Sequence, residues 1–189
     1  MAENKRITKK IELPIQPEEI AKFRIGDIVY LTGTILTARD HAHKRIIELK
    51  DSNQQLPTDL LKMKNHAIYH CGPIIHLLKD SGDKKFQLFS AGPTTSARMT
   101  SFQKRVCEIL NIKVIIGKGG MPDLDFSKFG GLYLSFTGGC GAIFKSFLKS
   151  VKGVIWDDLG MPEAVWILKV RNFGPLIVAQ DSHGKRLVS

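Results

Sequence analysis

Gln87-Leu88-Phe89-Ser90-Ala91-Gly92-Pro93-Thr94-Thr95-Ser96-Ala97-Arg98 decides how the rest of the chain is read. It has the form of an apolar strand end, a Gly-Pro turn and a Thr/Ser-rich helix start. Downstream, Met99, Phe102, Val106, Ile109 and Leu110 recur at steps of three and four, which predicts a helix with those residues on one face. Thr94 or Thr95 is the expected N-cap, its hydroxyl accepting from an unpaired first-turn N–H group. A helix N-terminus offers free donors and a partial positive charge. Arg98, four residues after Thr94, adds a guanidinium fork on the same side of that first turn. A hydroxyl, donors and a cation at one strand end outline a carboxylate or phosphate site. The same residues are also those of an ordinary loop with a good cap.

Outward from this stretch, strands and glycine turns alternate. Upstream, residues 1–12 carry alternating charges without a core pattern and read as a loose arm. Pro17-Glu18-Glu19-Ile20 starts a short helix. Residues 28–36 form a strong strand with Gly33 as a bulge or close-approach point. That strand ends in Thr37-Ala38-Arg39-Asp40, where Asp40 is the expected cap of a helix carrying Ile46, Ile47 and Leu49. Arg39 thus stands at a second strand-to-helix corner, although a solvated loop charge would look the same. Residues 66–75 read as a strand entering Gly72-Pro73, and Asp80-Ser81-Gly82-Asp83 as a turn.

Downstream, residues 112–116 form a β-branched strand without alternation, as expected when both faces are buried. It ends in Gly117-Lys118-Gly119-Gly120-Met121. Residues 132–136 form another strand and end in Thr137-Gly138-Gly139-Cys140-Gly141, followed by a helix-compatible stretch over residues 142–151. Residues 165–170, 175–179 and 186–188 read as separate strands, the first two joined by a turn at Asn172-Phe173-Gly174. The pattern predicts an α/β fold: parallel strands with helices in the middle, and flanking β segments as a second sheet layer. Ligands in such folds bind outside the carboxyl ends of the strands, where the glycine turns lie.

Composition narrows the class. At 189 residues the chain fits one domain spanning residues 1–189, and 43% hydrophobic with 24% charged residues is ordinary for a globular protein. The formal charge is +10; Lys5, Arg6, Lys9 and Lys10 against Glu3 give +3, leaving +7 for the rest. That excess points to an anionic partner. Nucleic acid is the weaker choice, because the basic residues are scattered and no recognition signature accompanies them. No apolar leader or membrane-length run is visible. Three widely spaced cysteines (Cys71, Cys107, Cys140) suit a reducing compartment, and the expectation is a cytoplasmic protein.

Familiar catalytic motifs fail. A Walker A loop would need a Gly at Ile112 and a Ser or Thr at Gly119. A dinucleotide fingerprint finds Pro122 or Phe144 where its third small residue belongs. His66 and His70 flank a strand, and His41 and His43 fall two apart on a helix, so no metal site is expected from them. Gly-Lys-Gly-Gly still lets backbone approach a ligand closely, with Lys118 as a point charge, though a turn lysine looks no different. Cys140, in a Gly-rich turn, is the one thiol placed to have a role.

Taken together, Gly92-Pro93-Thr94-Thr95-Ser96-Ala97-Arg98-Met99, Gly117-Lys118-Gly119-Gly120-Met121 and Thr37-Ala38-Arg39-Asp40 with His43 resemble the C-terminal domain of class I (iron–sulfur) fumarases. The same unit is the separate β subunit of two-subunit fumarases and of L-tartrate dehydratase. The resemblance covers nearly the whole chain, including residues 28–36, Gly160-Met161-Pro162-Glu163 and Phe173-Gly174-Pro175. It departs mildly at Ala38, where many fumarases carry Gly. It implies a three-layer β/β/α swivelling domain with a mixed sheet. It also implies an α-subunit partner that carries the [4Fe–4S] cluster, so that this chain itself binds no metal. The implied reaction is reversible hydration of fumarate to L-malate, the iron acting as a Lewis acid; L-tartrate dehydration is the alternative, and a non-catalytic anion-binding module a further one. In this match Thr94 is the base that removes the C3 proton, while Arg39, Arg98 and Lys118 hold the carboxylates. A threonine hydroxyl is a poor base, and neighbouring cations and helix N–H donors would favour its alkoxide.

Overall fold

The computed structural model describes residues 8–78 and 85–187. In chain order the elements are β1 (Thr8–Glu12), α1 (Pro17–Ile20), β2 (Ile28–Thr37), α2 (Asp40–Asp51), α3 (Thr58–Leu61), β3 (Ala67–Tyr69), β4 (Ile74–Leu78), β5 (Lys85–Ser90), α4 (Thr100–Leu110), β6 (Val114–Gly117), β7 (Leu132–Ser135), α5 (Phe144–Phe147), β8 (Leu148–Ile155) and β9 (Val165–Gln180). Short 3₁₀ turns occupy Ser96–Met99, Phe126–Phe129 and Asp157–Leu159.

One sheet dominates. Its strand order is β1-β2-β3-β6-β7-β9-β8, and β9 pairs with β2 as well. The strands β2, β3, β6 and β7 run parallel, and β9 closes them antiparallel into a barrel-like ring. The β4–β5 hairpin stands apart as a second, two-stranded sheet.

Two cores lie on the two faces of the parallel strands. Val29, Leu31, Tyr69, Val114, Ile116, Leu132 and Leu134 point into the ring. Leu36, Ile68, Ile115 and Tyr133 point outward, against Ile46 of α2 and Val106 and Leu110 of α4. Consecutive residues of β3 and β6 are therefore all buried, which is why their sequences show no alternation. One end of the ring is filled by aromatic rings: Phe173 lies within 4.9–5.4 Å of Phe136, Phe144 and Tyr69. Burying each such side chain contributes about 1.5–3 kcal/mol.

Several expectations change. Of the arm, Thr8–Glu12 is an ordered edge strand parallel to β2, with Ile11 buried; residues 1–7 lie outside the described residues. The helix expected over residues 142–151 shrinks to the single turn α5 and gives way to β8, which gains its order by pairing with β9. The strands expected over residues 165–170 and 175–179 are one strand, β9, which runs through Asn172 (φ 51°) while its pairing to β2 shifts register; in place of the strand expected over residues 186–188, Arg186 makes an isolated bridge to Gln180. The strand expected over residues 66–75 breaks at His70 and resumes as β4 in the other sheet. Arg39 rather than Asp40 occupies the N-cap position of α2, with no side-chain cap. The buried face of α4 is Gln103, Val106, Cys107 and Leu110, with Phe102 and Ile109 at its half-buried margins. Gly33 is a close-approach point, packed against Leu13. The turn at residues 80–83 and the strand end at Val188 lie outside the described residues.

Candidate active site

The carboxyl ends of β2, β3, β6 and β7 open onto the turns at Ala38-Arg39, His70-Cys71, Lys118-Gly119 and Phe136-Thr137. Segment 93–96 wedges between two of these tips. The His70 amide still donates to Ile116 (2.8 Å); beyond it the strands part, and Thr94 N–H donates to the His70 carbonyl (2.8 Å). Lys118 N–H donates to the Thr94 carbonyl (3.2 Å), and Ser96 N–H donates to the Lys118 carbonyl (3.0 Å). Thr94 therefore sits in a short strand extension between β3 and β6.

This corrects the expected helix start. Thr95 is extended (φ −66°, ψ 115°) and no side chain caps either the 3₁₀ turn or α4. The main chain around Thr94 is already committed to the sheet tips, so α4 begins only at Thr100. Thr95 does hold the N-cap position of the 3₁₀ turn that runs into α4, though without a side-chain bond, and Thr94 lies outside it, so Thr94 and Arg98 are not one helical turn apart.

The three cations stand on the surrounding turns. Arg98, on the 3₁₀ turn, pairs through Nη2 with Asp40 Oδ2 at 2.7 Å. Arg39 Nε approaches Glu163 Oε1 at 3.2 Å, a charge contact whose angle falls short of a hydrogen bond. The other Glu163 oxygen accepts the His41 amide (3.1 Å). The Arg39 guanidinium lies against Gly72, where an added Cβ would stand 2.8 Å from Nη1. Lys118 runs alongside Gly138 on the turn after β7, where an added Cβ would stand 3.6 Å from Lys118 Cδ. Arg39 and Lys118 thus stand on the carboxyl-end turns of β2 and β6, Thr94 lies in the extension between the tips of β3 and β6, and Arg98 follows on the 3₁₀ turn, tied to Asp40 at the start of α2; glycines lie beside Arg39 and Lys118.

Beneath them runs a chain of fully buried polar groups that spacing alone gives no reason to connect. His43 Nδ1 lies 2.8 Å from the Arg39 carbonyl, and His43 Nε2 lies 2.9 Å from the Gln103 carboxamide. The same carboxamide end meets His70 Nε2 at 2.6 Å, and His70 Nδ1 meets Ser96 Oγ at 2.8 Å. Tyr133 donates to Ser96 Oγ (2.9 Å) and accepts from Gly120 N–H (3.3 Å). Burial lowers the pKa of His43 and takes that of His70 down to about 3, with His43 next to it adding to the effect. Burial pushes Tyr133 up to about 12. Gly117 belongs to this chain by its emptiness: a Cβ there would stand 2.0 Å from Ser96 Oγ and 3.0 Å from the Tyr133 hydroxyl. His43, Ser96, Gly117 and Glu163 fall in motifs of the sequence without being singled out there, whereas Gln103 and Tyr133 carry no such signal, because their partners lie tens of residues away.

A metal cluster does not fit this chain's donors. Among the described residues no three His, Cys, Asp or Glu side chains gather at one point. Cys71 and Cys107 lie in different cores, and burial pushes both thiols up, that of Cys107 to about 12. Cys140 packs at the edge of the ring core. Among the described residues no helix is long and apolar enough to cross a membrane.

Residues 1–189 match the family model described as fumarase C-terminus. The chain is 48% identical over 174 residues to a Methanocaldococcus jannaschii protein provisionally named L(+)-tartrate dehydratase subunit beta, covering 90% of this chain and 86% of that one. It is 41% identical over 184 residues to the L(+)-tartrate dehydratase subunit beta of Escherichia coli K12, covering 96% and 87%. With a Geobacillus stearothermophilus protein provisionally named fumarate hydratase class I it shares 35% identity over 180 residues, 94% of this chain and 33% of that longer one.

Proposed function

The chain belongs to the fumarase C-terminus family, and from that premise we propose that it is the β half of a two-subunit hydro-lyase that interconverts fumarate and L-malate. The observation that carries this reading is that Thr94 lies in the extension between the tips of β3 and β6, with Arg39 and Lys118 on the tips of β2 and β6 and Arg98 on the 3₁₀ turn that follows. A basic rim with one hydroxyl suits a small dianion.

In the dehydration direction, Thr94 Oγ1 takes the C3 proton beside a carboxylate. The electron pair left behind spreads onto that carboxylate and then forms the carbon–carbon double bond as hydroxide leaves the adjacent carbon, a departure for which the α subunit's cluster would supply the Lewis acid. Lys118 stabilises the growing negative charge, and Arg39 and Arg98 hold the carboxylates. With α4 starting at Thr100, cations rather than helix donors favour the Thr94 alkoxide. The family's [4Fe–4S] cluster does not fit the donors described here, so we place it on an α subunit and route no step through this chain's cysteines. The β4–β5 hairpin leaves Ile74, Leu78 and Phe89 exposed, an apolar face of the kind a partner covers. We read the ring with α2 and α4 on one side as the β/β/α swivelling unit of the family.

L-Tartrate is a second reading. It is favoured by the higher identity and near full-length match to the two tartrate dehydratase β subunits. Co-expression with the cognate α subunit, followed by assays on L-malate and L-tartrate, tests both. Faster turnover of L-malate is expected; faster turnover of L-tartrate transfers the assignment, and no turnover of either overturns it.

A further inference from the structure

The buried polar chain between the Arg39 turn and the Ser96 turn has one hydrogen pattern in which the donors and acceptors around Gln103 all match. The Arg39 carbonyl can only accept, so the proton on His43 sits at Nδ1, 2.8 Å away. A neutral His43 then presents a lone pair at Nε2 to the Gln103 carboxamide 2.9 Å away. A carbonyl oxygen in that place would oppose the lone pair. Doubly protonating His43 instead would put a charge in a site with no solvent exposure, which burial opposes. The two ends of a carboxamide have the same shape, and its NH2 carries two hydrogens. Turned toward the rings, it serves His43 Nε2 and His70 Nε2 (2.6 Å) together, while its oxygen accepts the Cys107 thiol at 3.3 Å. His70 Nδ1–H then donates to Ser96 Oγ.

We propose that Gln103 is a positioning residue whose NH2 group donates to both buried imidazoles, so that His43 and His70, as neutral Nδ1–H tautomers, fix the Arg39 carbonyl and the Ser96 hydroxyl and thereby set the spacing of the turns that carry Arg39 and Arg98. Among the described residues no other side chain reaches both rings from one atom. The charged and titratable groups facing this pair are Asp40 and Glu163 near His43, and Tyr133 and Cys107 at its ends, the last two held protonated by burial. The consequence for turnover rests on the reading of Arg39 and Arg98 as substrate clamps; the tautomers do not.

Nitrogen-15 NMR of the full chain, with imidazoles assigned by His43→Asn and His70→Asn, tests the hydrogen pattern. Both rings are expected as neutral Nδ1–H tautomers at about pH 8, with His70 not titrating down to about pH 5 and His43 titrating below the ordinary histidine range. An Nε2–H tautomer or an imidazolium at either ring at about pH 8 overturns the proposal. In Gln103→Met, the Arg39 and Arg98 Nε–H resonances are expected to move, and kcat/KM of the αβ complex to fall by about 10²-fold. In Gln103→Glu, which sets an ionisable carboxyl group between the two rings, kcat/KM gains an ionisation absent from the wild type. Unmoved Arg resonances in a folded Gln103→Met chain, or an unchanged pH profile in Gln103→Glu, overturn the positioning role. A wild-type complex that turns over no dicarboxylate refutes the functional reading while leaving the tautomer and resonance results to decide this one.

Discussion

Thr94 and Lys118 are main-chain partners: the Lys118 amide donates to the Thr94 carbonyl at 3.2 Å, while the Thr94 amide donates to His70 at 2.8 Å. The hydroxyl and the ammonium are therefore borne by adjacent strands of a small sheet extension, and ladder bonds rather than flexible loops set their relative position. Thr94→Ala removes the half-buried hydroxyl and leaves both ladder bonds intact. Stability is expected to change by less than about 1 kcal/mol while turnover in the αβ complex disappears. Thermal melts and initial rates decide it; turnover near the wild-type level removes Thr94 from the role of base.

Glu163 is the counter-charge that holds Arg39. Its side chain is 14% exposed and that of Arg39 22%, so the pair is shielded from solvent more than a surface ion pair. Glu163→Gln keeps the shape but gives His41 N–H a neutral acceptor and removes the charge facing Arg39 Nε. A loss of about 1 kcal/mol in stability is expected. KM for the dicarboxylate should rise several-fold with a smaller change in kcat, because Arg39 binds rather than transfers a proton. A variant with unchanged KM would separate Glu163 from the site.

Gly117→Ala drives a methyl group into Ser96 Oγ and the Tyr133 hydroxyl, both on fully buried residues. Neither is the end of a flexible side chain, so the strand or the Ser96 turn must shift. Overpacking of this kind costs about 1–3 kcal/mol and should lower Tm by roughly 2–12 °C for a chain of this size. The accompanying loss of activity should exceed that of a surface substitution with equal Tm. A variant that melts like the wild type would contradict the packing seen around His70.

How far the sequence discloses this arrangement depends on where each signal comes from. The strand β2 is legible from its Ile-, Val- and Thr-rich run, and β6 because a β-branched run buried on both faces needs no alternation. The turns at Thr94 and Lys118 are legible because Gly and Pro punctuate them, and the corner at Arg39 because a strong strand ends just before Asp40 and a helical pattern. Closure of the ring is not, because Asn172-Phe173-Gly174 looks like a turn in sequence but acts as an irregularity inside one 16-residue strand. Phe144, Phe147, Leu148 and Val151 have helical spacing, yet pairing with the distant β9 draws Leu148 onward into β8. Polarity alone would put Gln103 on the solvent side of α4. Two histidines 27 residues apart, His43 and His70, supply the hydrogen bonds that let it turn inward, and no local pattern announces such a meeting.

The two buried imidazoles also give stability a defined pH dependence. His70 has a pKa of about 3 in the folded chain against 6.5 for an ordinary histidine, and that of His43 is lowered as well, in both cases chiefly by burial. Below about pH 6.5 the unfolded chain takes up protons that the folded chain refuses, so stability is fully present above that pH and falls as the medium is acidified. For His70 alone the loss at pH 5 is about 2 kcal/mol. Urea titrations at pH 7.5, 6 and 5 should show the midpoint dropping at constant m. His70→Phe, which keeps a ring but cannot titrate, should flatten that dependence even if it lowers stability at every pH. A midpoint that held steady from pH 7.5 to 5 in the wild type would mean that His70 is hydrated or already charged, contrary to its place between Gln103 and Ser96.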